Sequence, residues 1–401
     1  MVAGPAILHA PSYISGMTRS CPMTRAAGLA RLAAVTPRLG HAYTAGRNTD
    51  HGSGAEPSTS VLSPYLRRRL VTEEEVVAAA RAAHDAGSDK FVSEVFWRTY
   101  FKGHLETHPA IWTNYQRLVA EGEQALAASS GLRRTYARAV EGRTGIDGFD
   151  EWAQEIVDTG WLHNHARMWF ASIWTFTLRL PWALGAAFFL RHLLDGDPAS
   201  NTLSWRWVAG LHTRGKHYLA RAENIRRYTS GRYDPVGLDE TAAPLSEPEV
   251  PRLVPLAPAD PVPEGRVALL LHLEDLHPES LPLRRAEVVR VGGLLAHAPG
   301  ASERVRRADT AAMADALERA GRHFDRPADL AQPGWSDALP VVAAWAPVGP
   351  SADALPACTR VRRAWDEAAW PHSTRGFHKL QSAIPSVLGA VDSESRQDGL
   401  V

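Results

Sequence analysis

A proline-dense stretch, PLSEPEVPRLVPLAPADPVPEG at 244–265, most constrains how this chain can fold. Proline fixes φ and removes a backbone donor, so neither a helix interior nor a central strand can run through such a segment. The chain must therefore organise itself on either side of an extended linker, read here as 236–265. Before the linker, apolar residues recur at helical spacing and alternating strand patterns are almost absent. After it, short apolar runs alternate with helical ones. VALLLHL (267–273), AEVVRVGGLL (286–295) and LPVVAAWAPVG (339–349) read as buried strands. ADTAAMADALERAG (308–321), with Gly321 as its C-cap, and RVRRAWDEAAW (360–370) read as helices. The expected class is a mainly α domain over 23–235 followed by a small α/β domain with a parallel sheet over 266–390.

Local signals refine this division. Residues 24–37 form a short Ala/Leu/Arg helix in this reading, and 44–60, rich in Gly, Ser, Thr and Asp, form a loop. Thr72 followed by three glutamates is a helix start, with a capping oxygen and then acids where the helix dipole favours them. Residues 1–22 make an unconvincing signal peptide, and Met17 and Met23 are alternative starts. Residues 391–401 read as a tail.

Composition limits the partners. Lys+Arg and Asp+Glu both number 44, so any nucleic acid must be held by a local basic patch. RGKHYLARAENIRRYTSGR (214–232) mixes cations with Tyr218, Tyr228 and His217 and is the candidate. A solvated helix face would have the same composition. Two cysteines, Cys21 and Cys358, are too few for a four-cysteine iron–sulfur cluster or a disulfide framework, and fit a reducing, cytoplasmic setting. No run of about 18 apolar residues is present, so no membrane span is expected.

The residues that carry chemistry crowd into two stretches. TGWLHNHARMWFASIWTFTLRLPW (159–182) is an apolar, Trp-rich helix bearing His163, Asn164 and Arg167. LDGDPASNTLSWRWV (194–208) adds two aspartates, an asparagine and two tryptophans. Charge buried among tryptophans must be paired, either within the protein or with a polar ligand.

The order T-G-W-x-H-N-x-x-R-M, then P-W, then D-G-D-x-A-S-N-x-x-x-W-x-W resembles the flavin-binding domain of the DNA photolyase/cryptochrome family. STSVLSPYL (58–66) is similar to that family's phosphate-binding segment, SEVFWRTYFKGHLETHP (93–109) to its E-x-x-W-R helix, and EGRTGIDGFDEW (141–152) to its E-G-x-T-G lead-in. The resemblance covers about 40–235 and implies FAD as cofactor. It implies that Thr59, Ser60 and Ser63, with Tyr43 and Arg98, belong to the cofactor cradle. The same serines could be ordinary helix caps. It also implies that Arg167 and Asp195 form an ion pair bracing the flavin, with Asp197 at its polar edge and Asn201 beside its N5.

Further roles follow from the resemblance alone. Glu94, Asn164 and Met168, with Trp97 and Trp207, match the pocket that receives a flipped cyclobutane pyrimidine dimer. Apolar and aromatic walls suit extruded bases. A protonated Glu94 or the Asn164 amide would supply a donor to the dimer carbonyls. His165 falls where a DNA phosphate or solvent would be met. The related (6-4) enzymes carry histidines where Asn164 and Met168 stand, which favours the cyclobutane substrate. Trp205 and Trp182 match the first two members of the family's electron-transfer chain. The third is missing, near Ser129, with Tyr136, Trp169 and Trp174 as substitutes. An arginine common in the family falls near Ala220, with Arg221 as its possible replacement.

The implied activity is light-driven repair of pyrimidine dimers in DNA by electron transfer from photoexcited reduced FAD, by a monomer needing no metal. A cryptochrome-like blue-light photoreceptor, or a flavoprotein that does not use light, would rest on the same cofactor site. The family's α/β antenna domain ordinarily precedes the flavin domain. VALLLHLEDLHPESLPL (267–283) weakly resembles its first strand, which implies either a reduced, permuted antenna domain or an unrelated appended one.

Overall fold

The computed structural model describes residues 22–213, 215–247 and 251–397. Residues 1–21 of the expected leader and residues 398–401 of the expected tail lie outside the described residues, as does Arg214 of the basic stretch. The first part is helical throughout: α1 (Arg25–Val35), α2 (His41–Gly46), α3 (Ser63–Arg67), α4 (Glu73–His84), α5 (Asp89–Thr107), α6 (Ala110–Ala128), α7 (Ser130–Val140), α8 (Phe149–Thr159), α9 (Asn164–Ser172), α10 (Trp182–His192), α11 (Pro198–Ala209) and α12 (Ala222–Tyr228). Thr72 caps α4 in a capping box with Glu75, as its sequence predicts. The loop expected from 44 begins only after α2. Residues 229–264 contain no helix or strand among those described, as the prolines require.

The second part is β1 (Gly265–His272), β2 (Ala286–Leu294), α13 (Glu303–Phe324), β3 (Ala328–Leu330), β4 (Val341–Ala344), α14 (Pro350–Ala354), β5 (Thr359–Val361), α15 (Ala364–Ala369) and α16 (Phe377–Gln397). All strand pairs are parallel, in the order β3-β2-β1-β4-β5. Three sequence readings need correction. Helix α13 runs through Gly321 and ends at Asp325, whose left-handed backbone (φ 51°) makes the turn; a short polar side chain tolerates that conformation. The helix expected over 360–370 begins only at Ala364, because Thr359–Val361 pair with β4 as an edge strand. The boundary between domain and tail at 390/391 falls inside α16.

Helices α15 and α16 return to the helical part. Trp365 stacks on Phe96 (centroids 4.6 Å apart) and donates from Nε1 to Thr99 Oγ1 (2.9 Å). Phe377 stacks on Trp97 at 3.8 Å. One core runs from Leu70, Val76 and Phe96 through Val267, Leu269 and Leu271 of β1 to Ile384 of α16. A second core is confined to the helical part and holds most of its tryptophans.

In such a sheet the crevice for a ligand opens at the C-terminal ends of β1 and β4, where the strand order reverses. Helix α5 plugs it. Glu106 accepts from Trp345 Nε1 (3.1 Å) and from the Val348 backbone N–H (2.7 Å), and Lys102 donates to Glu274 (2.6 Å). Burial pushes the Glu106 carboxyl up, against these hydrogen bonds. No helix among the described residues is long and apolar enough to cross a membrane.

Candidate functional site: a polar-ended cavity in the helical part

A cavity of about 660 Å³ is enclosed by α5, α9, α11 and the segment leading into α3. That volume suits a ligand of cofactor size. Helical periodicity explains its wall. On α11, Asp197 caps the helix by accepting from the Ser200 N–H (2.7 Å), and Pro198 occupies the first turn. Asn201 and Trp205 then follow at steps of four and share the face of Asp197. On α5 the steps three and four after Glu94 bring Trp97 and Arg98 to one face. On α9, capped by His163, Asn164, Arg167 and Met168 do the same. All of these residues line the cavity, as do Tyr43, Thr59, Ser60, Ser63, Asp195 and Trp207. Fifteen of the eighteen residues expected at the site thus surround one space.

The polar end is organised around Asp195. Its Oδ2 accepts from Arg167 Nη2 (2.9 Å) and from Ser63 Oγ (2.6 Å). Its Oδ1 is buried without a partner. Ser63 therefore spends its hydroxyl on a carboxylate, whereas a phosphate was its expected partner. Arg98 pairs with Glu73 through Nη1, while its Nε is buried without a partner. Val61, in the same wall, has φ of 53°. A β-branched residue in that region is strained, and such strain clusters where a ligand approaches the backbone. Burial pushes the Tyr43 phenol up, so it remains protonated. Asn201 donates to the Ala186 carbonyl (2.9 Å).

The other end is aromatic. Trp97 is covered on one face by Phe377. Trp207, 36% exposed, stands at the opening with Tyr218 parallel to it at 5.9 Å. Glu94 lies 2.8 Å from Lys90 Nζ and 3.8 Å from Arg47. The amide of Asn164 lines the cavity too and offers a donor.

Three expected residues are elsewhere. Trp182 is buried against Tyr115, 6.0 Å between centroids. The rings beside Trp205 are Phe189 (5.1 Å), Phe170 (6.3 Å) and Trp174 (6.3 Å), and Tyr136 follows Trp174 at 5.7 Å. Gly185 makes this packing possible, since a Cβ there would fall 2.3 Å from the Trp205 ring. His165 stacks on Trp169 at 4.2 Å, and its Nδ1 lies 3.0 Å from the Asn48 carbonyl, which turns it from the cavity. Arg221 is exposed outside the wall. Its neighbour Ala220 is buried and donates its N–H to Ser172 Oγ (2.8 Å).

Sequence reasoning missed Arg67, Lys102, Glu274 and His378. Arg67 and His378 line the cavity. Lys102 Nζ lies 2.6 Å from both Asp197 Oδ2 and Glu274 Oε2, with all three side chains at most 4% exposed. Arg67 lies 2.9 Å from Glu274 Oε1 and donates to the Gly196 carbonyl (2.9 Å). One signal was available: Lys102 follows Glu94 and Arg98 at steps of four, on the same face of α5.

Residues 91–237 match the family described as FAD binding domain of DNA photolyase. A deoxyribodipyrimidine photo-lyase of Streptomyces griseus is 33% identical over 230 residues, 52% of this chain and 48% of that protein. The enzyme of that name from Thermus thermophilus is 32% identical over 259 residues, 62% of this chain and 56% of that protein. The crystal structure of a bacterial class III photolyase from Agrobacterium tumefaciens is 22% identical over 55% of this chain and 45% of that chain, with a TM-score of 0.44. The chain spans about half the length of the curated relatives it matches.

Proposed function

We propose, for a chain whose residues 91–237 belong to the DNA photolyase/cryptochrome family as its FAD-binding domain, that the cavity holds FAD and serves light-driven repair of cyclobutane pyrimidine dimers in DNA. The observation that carries this reading is the buried, unpartnered Oδ1 of Asp195, a cavity-lining residue whose other oxygen accepts from Arg167. A buried carboxylate oxygen without a donor is costly. A ligand bearing N–H or O–H groups at that end would satisfy it. The unpartnered Nε of Arg98 asks in turn for an acceptor. FAD carries both kinds of group, so the residues fit it.

Bound FAD would supply the photoexcited electron donor. The chain's own residues do the rest. Thr59, Ser60 and the strained Val61 segment offer hydroxyls and backbone to a diphosphate. Arg167 and Asp195 fix the ring system, and Asn201 presents a neutral amide to it. Trp97, Trp207 and Met168 form the apolar walls for two extruded bases. Asn164 donates to their carbonyls, and Lys90 and Arg47 keep cations close to that end. The exposed Arg226 and Arg227 of α12 offer charge to the DNA backbone.

The purified protein is expected to be yellow or grey-blue, with releasable FAD, and to restore irradiated oligothymidine in blue light but not in darkness. A colourless protein that takes up no added FAD would overturn the cofactor assignment. A flavin-loaded protein that leaves cyclobutane dimers intact would overturn the repair assignment alone. Trp205→Phe is expected to keep FAD and to stop its light-driven reduction by a thiol donor. Trp174→Phe and Trp182→Phe then compare the two onward routes. An unaltered rate in Trp205→Phe would mean that electrons enter elsewhere.

A further inference from the structure

Among the buried groups of this molecule, one cluster joins its two parts directly behind the cavity. Glu274 sits just past the end of β1, in the second part, and is 3% exposed. Its two oxygens meet two cations of the helical part, Arg67 at 2.9 Å and Lys102 at 2.6 Å. Lys102 reaches on to Asp197 Oδ2 at 2.6 Å. Arg67 reaches on to the Gly196 carbonyl at 2.9 Å and holds the Leu273 carbonyl at 3.1 Å. Gly196 and Asp197, the N-cap, lead into α11, the helix that carries Asn201, Trp205 and Trp207. Two cations and two anions thus meet directly in this buried cluster, with Arg98 and Asp309 as further charges around it. Without Glu274 the cluster itself would keep two buried cations and one anion.

We infer that Glu274 is a positioning residue for the cofactor site: the second part of the chain supplies, through this one carboxylate, the counter-charge that holds Lys102 and Arg67, and through them Asp197 and the start of α11. This rests on the FAD reading of the cavity. The argument is one of charge in a medium of low polarity. Unmatched buried charge is expensive, and the cost is relieved by movement, by water or by loss of the neighbouring geometry. Asp197 is the group that would move, because Lys102 would no longer be shared and would pull its carboxylate away from the helix N-terminus. Burial alone would push both carboxyls up. Lys102 and Arg67 instead hold Asp197 and Glu274 below the usual carboxylate range, as a cooperating set requires. The plugged crevice of the sheet agrees with this role. The end of β1 is occupied by α5, and its acidic residue is turned to the helical part.

The test uses the full chain and free FAD. Glu274→Gln keeps the shape and removes the charge. Its FAD dissociation constant is expected to rise at least roughly tenfold. The midpoint potential of the bound flavin is expected to shift positive, because the excess cation favours the electron-rich form. Lys102→Met removes a cation instead. It is expected to weaken FAD too, but to shift the potential negative. The double variant restores the balance between Arg67 and Asp197 and is expected to recover most of the lost affinity and a potential close to that of the parent. Opposite shifts that cancel are the mark of a charge acting on the site, since a general loosening of the fold would move both variants the same way. If either single variant fails to fold, the double variant decides: a folded, flavin-binding double variant supports the inference, and a failed one overturns it. Unchanged affinity and potential in Glu274→Gln, or shifts of equal sign in both single variants, also overturn it. A parent protein that binds no FAD would defeat the cofactor reading and this inference with it, an outcome distinct from a parent that binds FAD and variants that do not differ from it.

Discussion

Arg69 and Arg98 share the buried carboxylate of Glu73, yet only Arg69 is fully satisfied. Arg69 lies in the seam between the helices and the sheet. Its Nε pairs with Glu73 (3.0 Å), its Nη1 with Asp275 (3.3 Å) and its Nη2 with Asp366 (2.7 Å). Arg363 adds a two-pronged bond to Asp275 (2.6 and 2.8 Å). Arg98 faces the cavity. It spends Nη1 on Glu73 and has a long contact from Nη2 to the Arg67 carbonyl (3.4 Å), but its Nε is buried with nothing to donate to. Both regions are built from the same residue types, but the seam cations are the more deeply buried, Arg69 at 4% and Arg363 at 6% exposed against 14% for Arg98 and 24% for Arg167. Arg69 closes all its hydrogen bonds, although Glu74 Oε2 beside it is buried without a partner, while at the cavity Arg98 Nε and Asp195 Oδ1 stay open. Composition cannot tell a structural ion network from a ligand site, and unmet hydrogen-bonding capacity against an open space adds a criterion.

The hardest test of this contrast is to break the seam. Asp275→Ala removes a carboxylate shared by Arg69 and Arg363 and leaves two guanidinium groups short of a partner. The expected loss of stability is about 3–5 kcal/mol, the usual result of orphaning one side of a buried pair. Urea unfolding followed by tryptophan fluorescence reads it. A loss below about 1 kcal/mol would rank the seam with exposed pairs. The acid limb gives a second reading. Burial alone would push the Asp275 carboxyl up, but Arg363 and Arg69 hold it well below the usual range. A depressed folded value means stability that is present above the unfolded carboxylate pKa, about 4, and is lost as pH falls below it. The parent is expected to lose stability there more steeply than Asp275→Ala.

Breaking the cavity should do the reverse. Asp195→Ala deletes the acceptor of Arg167 and Ser63, but Arg167 is 24% exposed and can turn to water. Stability is therefore expected to fall much less than in Asp275→Ala. FAD affinity is expected to fall by about 2–3 kcal/mol, roughly a hundredfold, as charge-assisted bonds are lost. Equilibrium dialysis against free FAD measures it. Normal flavin content in this variant would return Asp195 to the structural class.

How much of this was legible beforehand follows the same contrast. The cavity wall lies on single helices, where residues three and four apart share a face. Glu94, Trp97 and Arg98, or Asp197, Asn201 and Trp205, could therefore be grouped from sequence spacing. Asp195, Ser63 and Arg167 come from three segments, and only the family pattern joined them. The seam had neither aid. Lys102 and Glu274 meet across the linker, between a helix and a strand end 172 positions away. Nothing local in either segment announces the other. His165 and Arg221 lie outside the cavity wall for a related reason: adjacency to a site residue does not fix the side of a helix. His165 follows Asn164 directly but turns to Trp169 and the Asn48 carbonyl. The start of α15 was hidden because Thr359–Val361, just before it, serve the sheet edge first.

The smallest effect expected is at the cavity mouth, and it separates substrate from cofactor. Trp207 is 36% exposed and parallel to Tyr218, so its removal leaves no buried void and no unpaired charge. Trp207→Ala is therefore expected to keep both the fold and FAD. What it loses is one aromatic face on which an extruded base could stack, worth roughly 1–3 kcal/mol. Titration of dimer-containing oligothymidine against the dark, flavin-loaded protein measures the loss, with undamaged oligothymidine as reference. If affinity for both strands falls equally, Trp207 acts on single-stranded DNA in general and the lesion is read elsewhere in the cavity. If neither changes, the exposed tryptophan is a packing residue for Tyr218, and the open end of the cavity belongs to something other than a pyrimidine dimer.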